Sequence, residues 1–329
     1  MVHGFIIELV KFYLVLTFAL TVFSILGMYF TEIFAYHKKA GKKRIQELMD
    51  QGRFRQYLIY SIEQIREKKK RAVVRISVFP SDREGKSKVV IICPGGGYSH
   101  LCTEGEAYPV AARLNELGYT AFVLNYRVKF NCSSHAPMQD LAQAVHFIEK
   151  RQDFFHVDLT DYAVIGFSAG GNLAGIFGTK EYGYEKYEAM KPGALILGYP
   201  WTNVNHWIIH PYWNIWVGLL GIWLSERGNI YMFGFGHHFN KEKRDSLCVQ
   251  KWITSDYPPT YMFAGSNDVL VPSGAHTDIM AKALEANQVP MMYEKYFGIP
   301  HGIGIGYKTH AYGWLEKAIT FWQEQITLN

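Results

Sequence analysis

Two kinds of apolar pattern run along this chain, one unbroken and one rhythmic. The unbroken one covers Phe12 to Thr31 without a single charge: Phe-Tyr-Leu-Val-Leu-Thr-Phe-Ala-Leu-Thr-Val-Phe-Ser-Ile-Leu-Gly-Met-Tyr-Phe-Thr. A helix needs about 20 apolar residues to cross a bilayer, and this run meets that length. A cleaved signal peptide would show a shorter apolar core, a positive lead and a small-x-small cleavage site. Here the lead sets Lys11 against Glu8, and no such site follows Phe30. The expectation is an uncleaved transmembrane anchor within residues 1–36. Lys38, Lys39, Lys42, Lys43 and Arg44 flank its C-terminal side, and the positive-inside bias then leaves the rest of the chain in the cytoplasm.

The rhythmic pattern begins after the anchor. From Lys42 to Arg71 apolar residues recur at helical spacing (Ile45, Leu48, Met49, then Leu58, Ile62, Ile65) among charges. This predicts one amphipathic helix or two, a basic linker over 37–71 lying on the domain or the membrane face. Strand patterns are then predicted at Ala72–Phe79, Val89–Cys93, Thr120–Tyr126, Tyr162–Gly166, Ala194–Gly198, Tyr257–Gly265 and Met291–Tyr296. Helix patterns fall between them, at Glu106–Leu117, Met138–Arg151, Ser168–Thr179 and Asp278–Ala286, with a last one from about Ala311 to Ile326. Alternation of this kind predicts an α/β fold, a mostly parallel sheet covered by helices on both faces, in one domain over 72–329.

The alternation fails once, between Tyr199 and Pro258. Trp201, Trp207, Trp213, Trp216 and Trp223 lie there in an uncharged run with Ile208, Ile209, Val217, Leu219, Leu220 and Ile222. His206, His210 and Pro211 interrupt it as a membrane span, and the preceding strand belongs to the sheet. We read 201–256 as a cap inserted over the strand ends, with a monotopic membrane contact as the alternative. No acidic residue stands in recognised metal-ligand spacing with His206, His210, His237 and His238, so no metal site is expected.

Composition adds little but limits the partners. A net charge of +5 over 329 residues is too mild to imply nucleic acid. The basic residues gather in Lys38–Arg44 and Lys68–Arg71, beside the apolar N-terminus, where a membrane surface accounts for them better. The second of these runs also suits a plain solvated face. Four cysteines, Cys93, Cys102, Cys132 and Cys248, have no Cys-x-x-Cys spacing and suggest no disulfide framework.

The chemistry centres on Gly166-Phe167-Ser168-Ala169-Gly170, a Gly-x-Ser-x-Gly between a strand and a helix. That spacing puts the serine on a strained turn and leaves no side chain at Gly166 or Gly170 to strike neighbouring backbone. The Ala169 amide then points at a developing oxyanion. Pro94-Gly95-Gly96-Gly97-Tyr98 follows a buried strand directly and offers further backbone amides. It lacks both the Lys-Ser/Thr ending of a P-loop and the spaced glycines of a dinucleotide fingerprint. Asp268 and His301 each lie just past a predicted strand, giving the chain order Ser, Asp, His of the α/β-hydrolases.

The segments Pro94–His100, Phe122–Val128, Gly166–Gly171 and Pro300–Gly302 together resemble the bacterial acetyl-xylan-esterase-like α/β-hydrolases, relatives of the feruloyl-esterase-type carbohydrate esterases. The likeness covers about Val73 to the C-terminus. It implies a serine esterase that removes small acyl groups, often acetyl from carbohydrate, without a cofactor. It further implies Ser168, Asp268 and His301 as the triad, amides of Gly96, Gly97 and Ala169 as the oxyanion hole, and Tyr98 lining the acyl pocket. The anchor and the Trp-rich insertion depart from the family's pattern, and they suit a lipid-like or membrane-borne ester as well as a sugar acetate. The expectation is therefore a membrane-anchored serine esterase acting on a small-molecule ester. A peptidase or amidase of the same fold, and a non-catalytic membrane-anchored interaction module, are the alternatives.

Overall fold

The computed structural model describes residues 6–19, 32–133, 135–206, 229–234 and 240–327. Residues 6–19 form a helix whose Phe12, Tyr13, Val15, Leu16 and Phe18 are exposed. The remainder of the expected span, 20–31, lies outside the described residues. Among the described residues no helix is long and apolar enough to cross a membrane.

Eight strands build one sheet: β1 (Arg55–Leu58), β2 (Arg75–Phe79), β3 (Ser87–Cys93), β4 (Thr120–Asn125), β5 (Val157–Phe167), β6 (Ala194–Gly198), β7 (Thr260–Gly265) and β8 (Met291–Tyr296). Their spatial order is β1-β2-β4-β3-β5-β6-β7-β8. Pairing is antiparallel only where β2 meets β1 and β4; every other pair is parallel. The central strands are apolar on both sides, as helix-covered parallel strands must be. In β3, Val89, Ile91 and Cys93 join one core cluster while Val90 and Ile92 join the other.

Helices α3 (Ala136–Glu149) and α4 (Ala169–Phe177) cover the first face, contributing Leu141, Val145, Leu173 and Phe177. The second face is covered by α1 (Glu32–Asp50), α2 (Tyr108–Glu116) and α6 (Trp314–Thr327), contributing Leu48, Val110, Leu114, Leu315 and Trp322. A further helix, α5 (Thr277–Ala286), leads into β8. From β2 onward the longer elements overlap the stretches that the hydrophobic rhythm marks, although β5 begins at Val157 rather than Tyr162.

The segment expected to be a helical linker holds two helices and, in addition, a strand. Over 37–71, α1 ends at Asp50, the chain turns, and Arg55–Leu58 adds an edge strand to the sheet. Ser61 then caps a short helix, Ile62–Glu67. Leu48 and Tyr60 are buried in the core clusters, so this stretch packs on the domain, one of the two placements expected of it. The physical reason is that β1 is a four-residue, largely exposed edge strand, too short and too polar to show a period of two.

The inserted region leaves the sheet after β6 and returns before β7. Its neck is closed: the Val249 amide donates to the Thr202 carbonyl at 2.9 Å, and Asn205 Nδ2 donates to Asp245 Oδ1 at 2.8 Å. Trp201 is buried against Tyr98, ring centroids 6.3 Å apart. Trp207, Trp213, Trp216, Trp223, His210, His237 and His238 lie outside the described residues.

Candidate active site

Five neighbouring parallel strands deliver their C-terminal ends to one place. The glycine loop follows β3, Ser168 follows β5, Tyr199 follows β6, Asp268 follows β7 and His301 follows β8. This is where an open α/β sheet gathers its reacting groups.

Ser168 adopts φ 52° and ψ −116°, a conformation costly for a residue with a Cβ. The surroundings enforce it. Its amide donates to Gly198 O at 3.1 Å, and its carbonyl accepts from Trp201 N at 2.9 Å and Asn172 N at 3.1 Å. The turn also needs close approach behind it, since a Cβ on Gly170 would overlap the Cys93 and Pro94 carbonyl oxygens on the β3 side.

Ser168 Oγ lies 3.0 Å from His301 Nε2, and His301 Nδ1 lies 2.6 Å from Asp268 Oδ2. A carboxylate only accepts, so Nδ1 carries the proton and Nε2 faces the serine hydroxyl as acceptor. The other carboxylate oxygen of Asp268 accepts from Leu270 N at 3.0 Å and Val271 N at 2.7 Å, which fixes its plane. Burial alone would push the His301 imidazole down, but the charge and hydrogen bond of Asp268, with Glu106 behind, hold it above its ordinary value.

The glycine loop stands beside Ser168. A Cβ on Gly95 would lie 3.0 Å from the Ser168 Cβ. Gly96 has φ 121° and would drive a Cβ into the His100 carbonyl, so only glycine fits there. Among the described residues the amides of Gly96, Gly97 and Ala169 donate to no protein group. Tyr98 is fully buried with φ 55°; its hydroxyl donates to Asn172 Oδ1 at 2.8 Å, and its ring packs on Tyr126 and Trp201. Its contacts are thus with the interior wall beneath the loop.

Three side chains at the site escaped the sequence reading. Asn172 joins Tyr98 to the Leu247 carbonyl, reached by its Nδ2 at 2.8 Å. Tyr199, buried and at φ 37°, sets its ring against His301 at 4.8 Å. Glu106 is a buried carboxylate that accepts from Gly95 N at 2.7 Å and from Tyr199 Oη at 3.0 Å. Burial pushes its carboxyl above the usual carboxylate range, while Gly95, His301 and Tyr199 pull the other way. Nothing in the sequence around Glu106 marks it; it sits in a π-helical turn, Thr103–Ala107, that leads into α2.

A serine on a strained strand-to-helix turn, backed by histidine and aspartate from the next loops, defines an α/β-hydrolase. The chain belongs to the BD-FAE family, whose model matches residues 77–284. It is 29% identical over 137 residues to an acetylxylan esterase of Xylanibacter ruminicola, covering 42% of this chain and 27% of that protein. It is 24% identical over 239 residues to endo-1,4-beta-xylanase B of Butyrivibrio fibrisolvens, covering 70% of this chain and 34% of that protein. The chain thus spans 34% and 27% of the length of the xylanase and the acetylxylan esterase, respectively. The acetyl ester-xyloside bifunctional hydrolase of Caldicellulosiruptor lactoaceticus shares the fold, with a TM-score of 0.64 at 24% identity over 76% of this chain and 88% of that one.

Proposed function

We propose that this protein is a serine esterase that hydrolyses short-chain acyl esters, acetyl esters first among them, through an acyl-enzyme. The observation that carries the reading is the hydrogen-bonded line Ser168–His301–Asp268 set on the strained turn. Ser168 Oγ attacks the ester carbonyl while His301 Nε2 takes its proton, and Asp268 holds the imidazole and stabilises the imidazolium. The carbonyl oxygen becomes an oxyanion facing the unengaged amides of Gly96, Gly97 and Ala169. His301 returns the proton to the departing alcohol. Water, deprotonated by the same imidazole, then releases the carboxylic acid and restores Ser168. No step calls for a metal or cofactor.

The acetylxylan esterase relative supports a carbohydrate acceptor. The apolar run Phe12–Thr31 supports a single-pass membrane anchor, and the basic flank Lys38–Arg44 supports a cytoplasmic catalytic domain. That placement would favour a small or membrane-borne ester over an extracellular polymer.

The test is the nucleophile. Ser168→Ala lowers kcat on p-nitrophenyl acetate by roughly 10⁴–10⁶-fold without lowering the melting temperature. A fluorophosphonate labels the wild type at Ser168. Activity that survives the alanine variant, or labelling at a different serine, overturns the assignment. Hydrolysis of sugar acetates with no cleavage of the matching amides separates an esterase from an amidase.

A further inference from the structure

Glu106 stands behind the site without a part in the proton transfers, yet it is buried and charged groups are rarely buried without a partner or a task. Its two carboxylate oxygens reach different parts of the site. Oε2 accepts from the amide of Gly95, the residue that opens the glycine loop. Oε1 accepts the hydroxyl of Tyr199, whose oxygen in turn accepts from Gly304 N at 3.1 Å. Gly304 lies three residues past His301, and its carbonyl is held by Trp314 Nε1 at 3.0 Å. The directions agree along the whole line: Gly304 N–H to Tyr199 O–H to the Glu106 carboxylate, with Gly95 N–H arriving from the opposite side.

Tyr199 is itself held in a rarely used backbone conformation, φ 37°, with its amide bonded to Phe263 O at 2.7 Å. A non-glycine residue kept there by its neighbours is commonly a site feature. The same ring packs edge-on against the His301 imidazole, 4.8 Å between centroids at 64°. Glu106 is also close to the nucleophile: a Cβ on Gly95 would sit 2.8 Å from its Oε2 and 3.0 Å from the Ser168 Cβ.

We propose that Glu106 is a positioning residue of the ester hydrolysis, a second buried carboxylate that ties the glycine loop to the His301 loop through Tyr199 and stabilises the imidazolium electrostatically. The inference rests on the proposed roles of Ser168 and His301. Asp268 orients the imidazole by its hydrogen bond, and Glu106 acts on it through space and through Tyr199 without bonding to it. When His301 takes the serine proton, the positive charge forms within reach of two carboxylates. At the same moment the oxyanion forms at amides on the loop that Glu106 holds by Gly95. One side chain thereby keeps both developing charges at their stations.

The charged and titratable groups facing His301 are Asp268, Glu106, Tyr199 and His276; those facing Glu106 are His301, Tyr199 and Tyr126. Burial pushes Tyr199 and Tyr126 well above the usual phenol value and His276 well below the usual imidazole value. All three are neutral through the range where His301 titrates, leaving the two carboxylates to set it.

The experiment compares wild type, Glu106→Gln and Tyr199→Phe on p-nitrophenyl acetate across pH, with melting temperatures alongside. Glu106→Gln removes the charge at constant shape. Its acid limb of kcat/KM moves about one pH unit lower, the direction expected when an opposite charge near an imidazole is lost. Its kcat falls about tenfold or more, with KM little changed, as the reacting groups lose their register. Tyr199→Phe keeps the charge and breaks the tie, so kcat falls while the acid limb stays in place. A Glu106→Gln enzyme that folds with its acid limb unmoved overturns the electrostatic role; a Tyr199→Phe enzyme with wild-type kcat overturns the tie. If Glu106→Gln does not fold, the tyrosine variant decides the tie and Glu106→Asp, which draws the charge back from the site, decides the electrostatic role by whether its acid limb moves lower. A wild type without esterase activity or Ser168 labelling would instead bring down the underlying reading.

Discussion

His301 lies in an apolar setting that disfavours its charged form and beside carboxylates that favour it, and the carboxylates prevail. The sign of the consequence is definite. Ester hydrolysis needs the neutral imidazole as base, and a raised value means that activity is lost on acidification at a pH above the ordinary imidazole value of about 6.5. The acid limb of kcat/KM for p-nitrophenyl acetate, measured at constant ionic strength, should fall there. A limb at or below that value would show that burial dominates after all. Ser168, Asp268 and His301 were legible because each has local punctuation, a glycine or proline just past an apolar run. Glu106 and Tyr199 were not. Their bond links residues 93 apart in the chain, and nothing near either one signals the other.

At the level of elements, the alternating strands and helices from Arg75 onward announced themselves through period, since fully covered parallel strands must be apolar throughout. The N-terminal part of the domain did not. Arg55–Leu58 pairs with β2 at the sheet edge, Leu48 enters the core, and Tyr60 donates from its hydroxyl to Asp140 at 2.7 Å. Asp140 in turn holds the buried Arg127. A fragment starting at residue 72 would therefore expose the β2 edge and leave Asp140 short of a donor. We expect it to melt well below a fragment starting at 32, by differential scanning calorimetry, and to aggregate. Equal melting temperatures would show that 37–71 is dispensable. Leu48→Ala alone should cost about 2–5 kcal/mol in a denaturant titration, the usual range for a core leucine.

For the molecule as a whole, the two ends of the sheet differ in what they offer. The C-terminal strand ends carry the candidate site, and the chain enters the domain through α1. A cysteine placed at exposed Gln51, with Cys102 changed to serine, tests where that entrance faces. With the positive flank inside, a membrane-impermeant thiol reagent labels it only after the cells are permeabilised. Labelling of intact cells would reverse the orientation and bring extracellular glycan within reach.

The closed neck of the insertion has a bearing on how this protein can change. Because Thr202 and Val249 are bonded to each other, whatever lies between them is a loop with fixed ends. The entropy of closing such a loop rises only logarithmically, roughly 0.6 kcal/mol for each doubling of its length. Changing the length of the inserted segment thus costs folding little, provided that Met232, Leu247 and Cys248 keep their buried places, while the strands that hold Ser168, Asp268 and His301 stay under strict packing. The length of the stretch between Thr202 and Val249 is therefore freer to change than the strands that carry the candidate site.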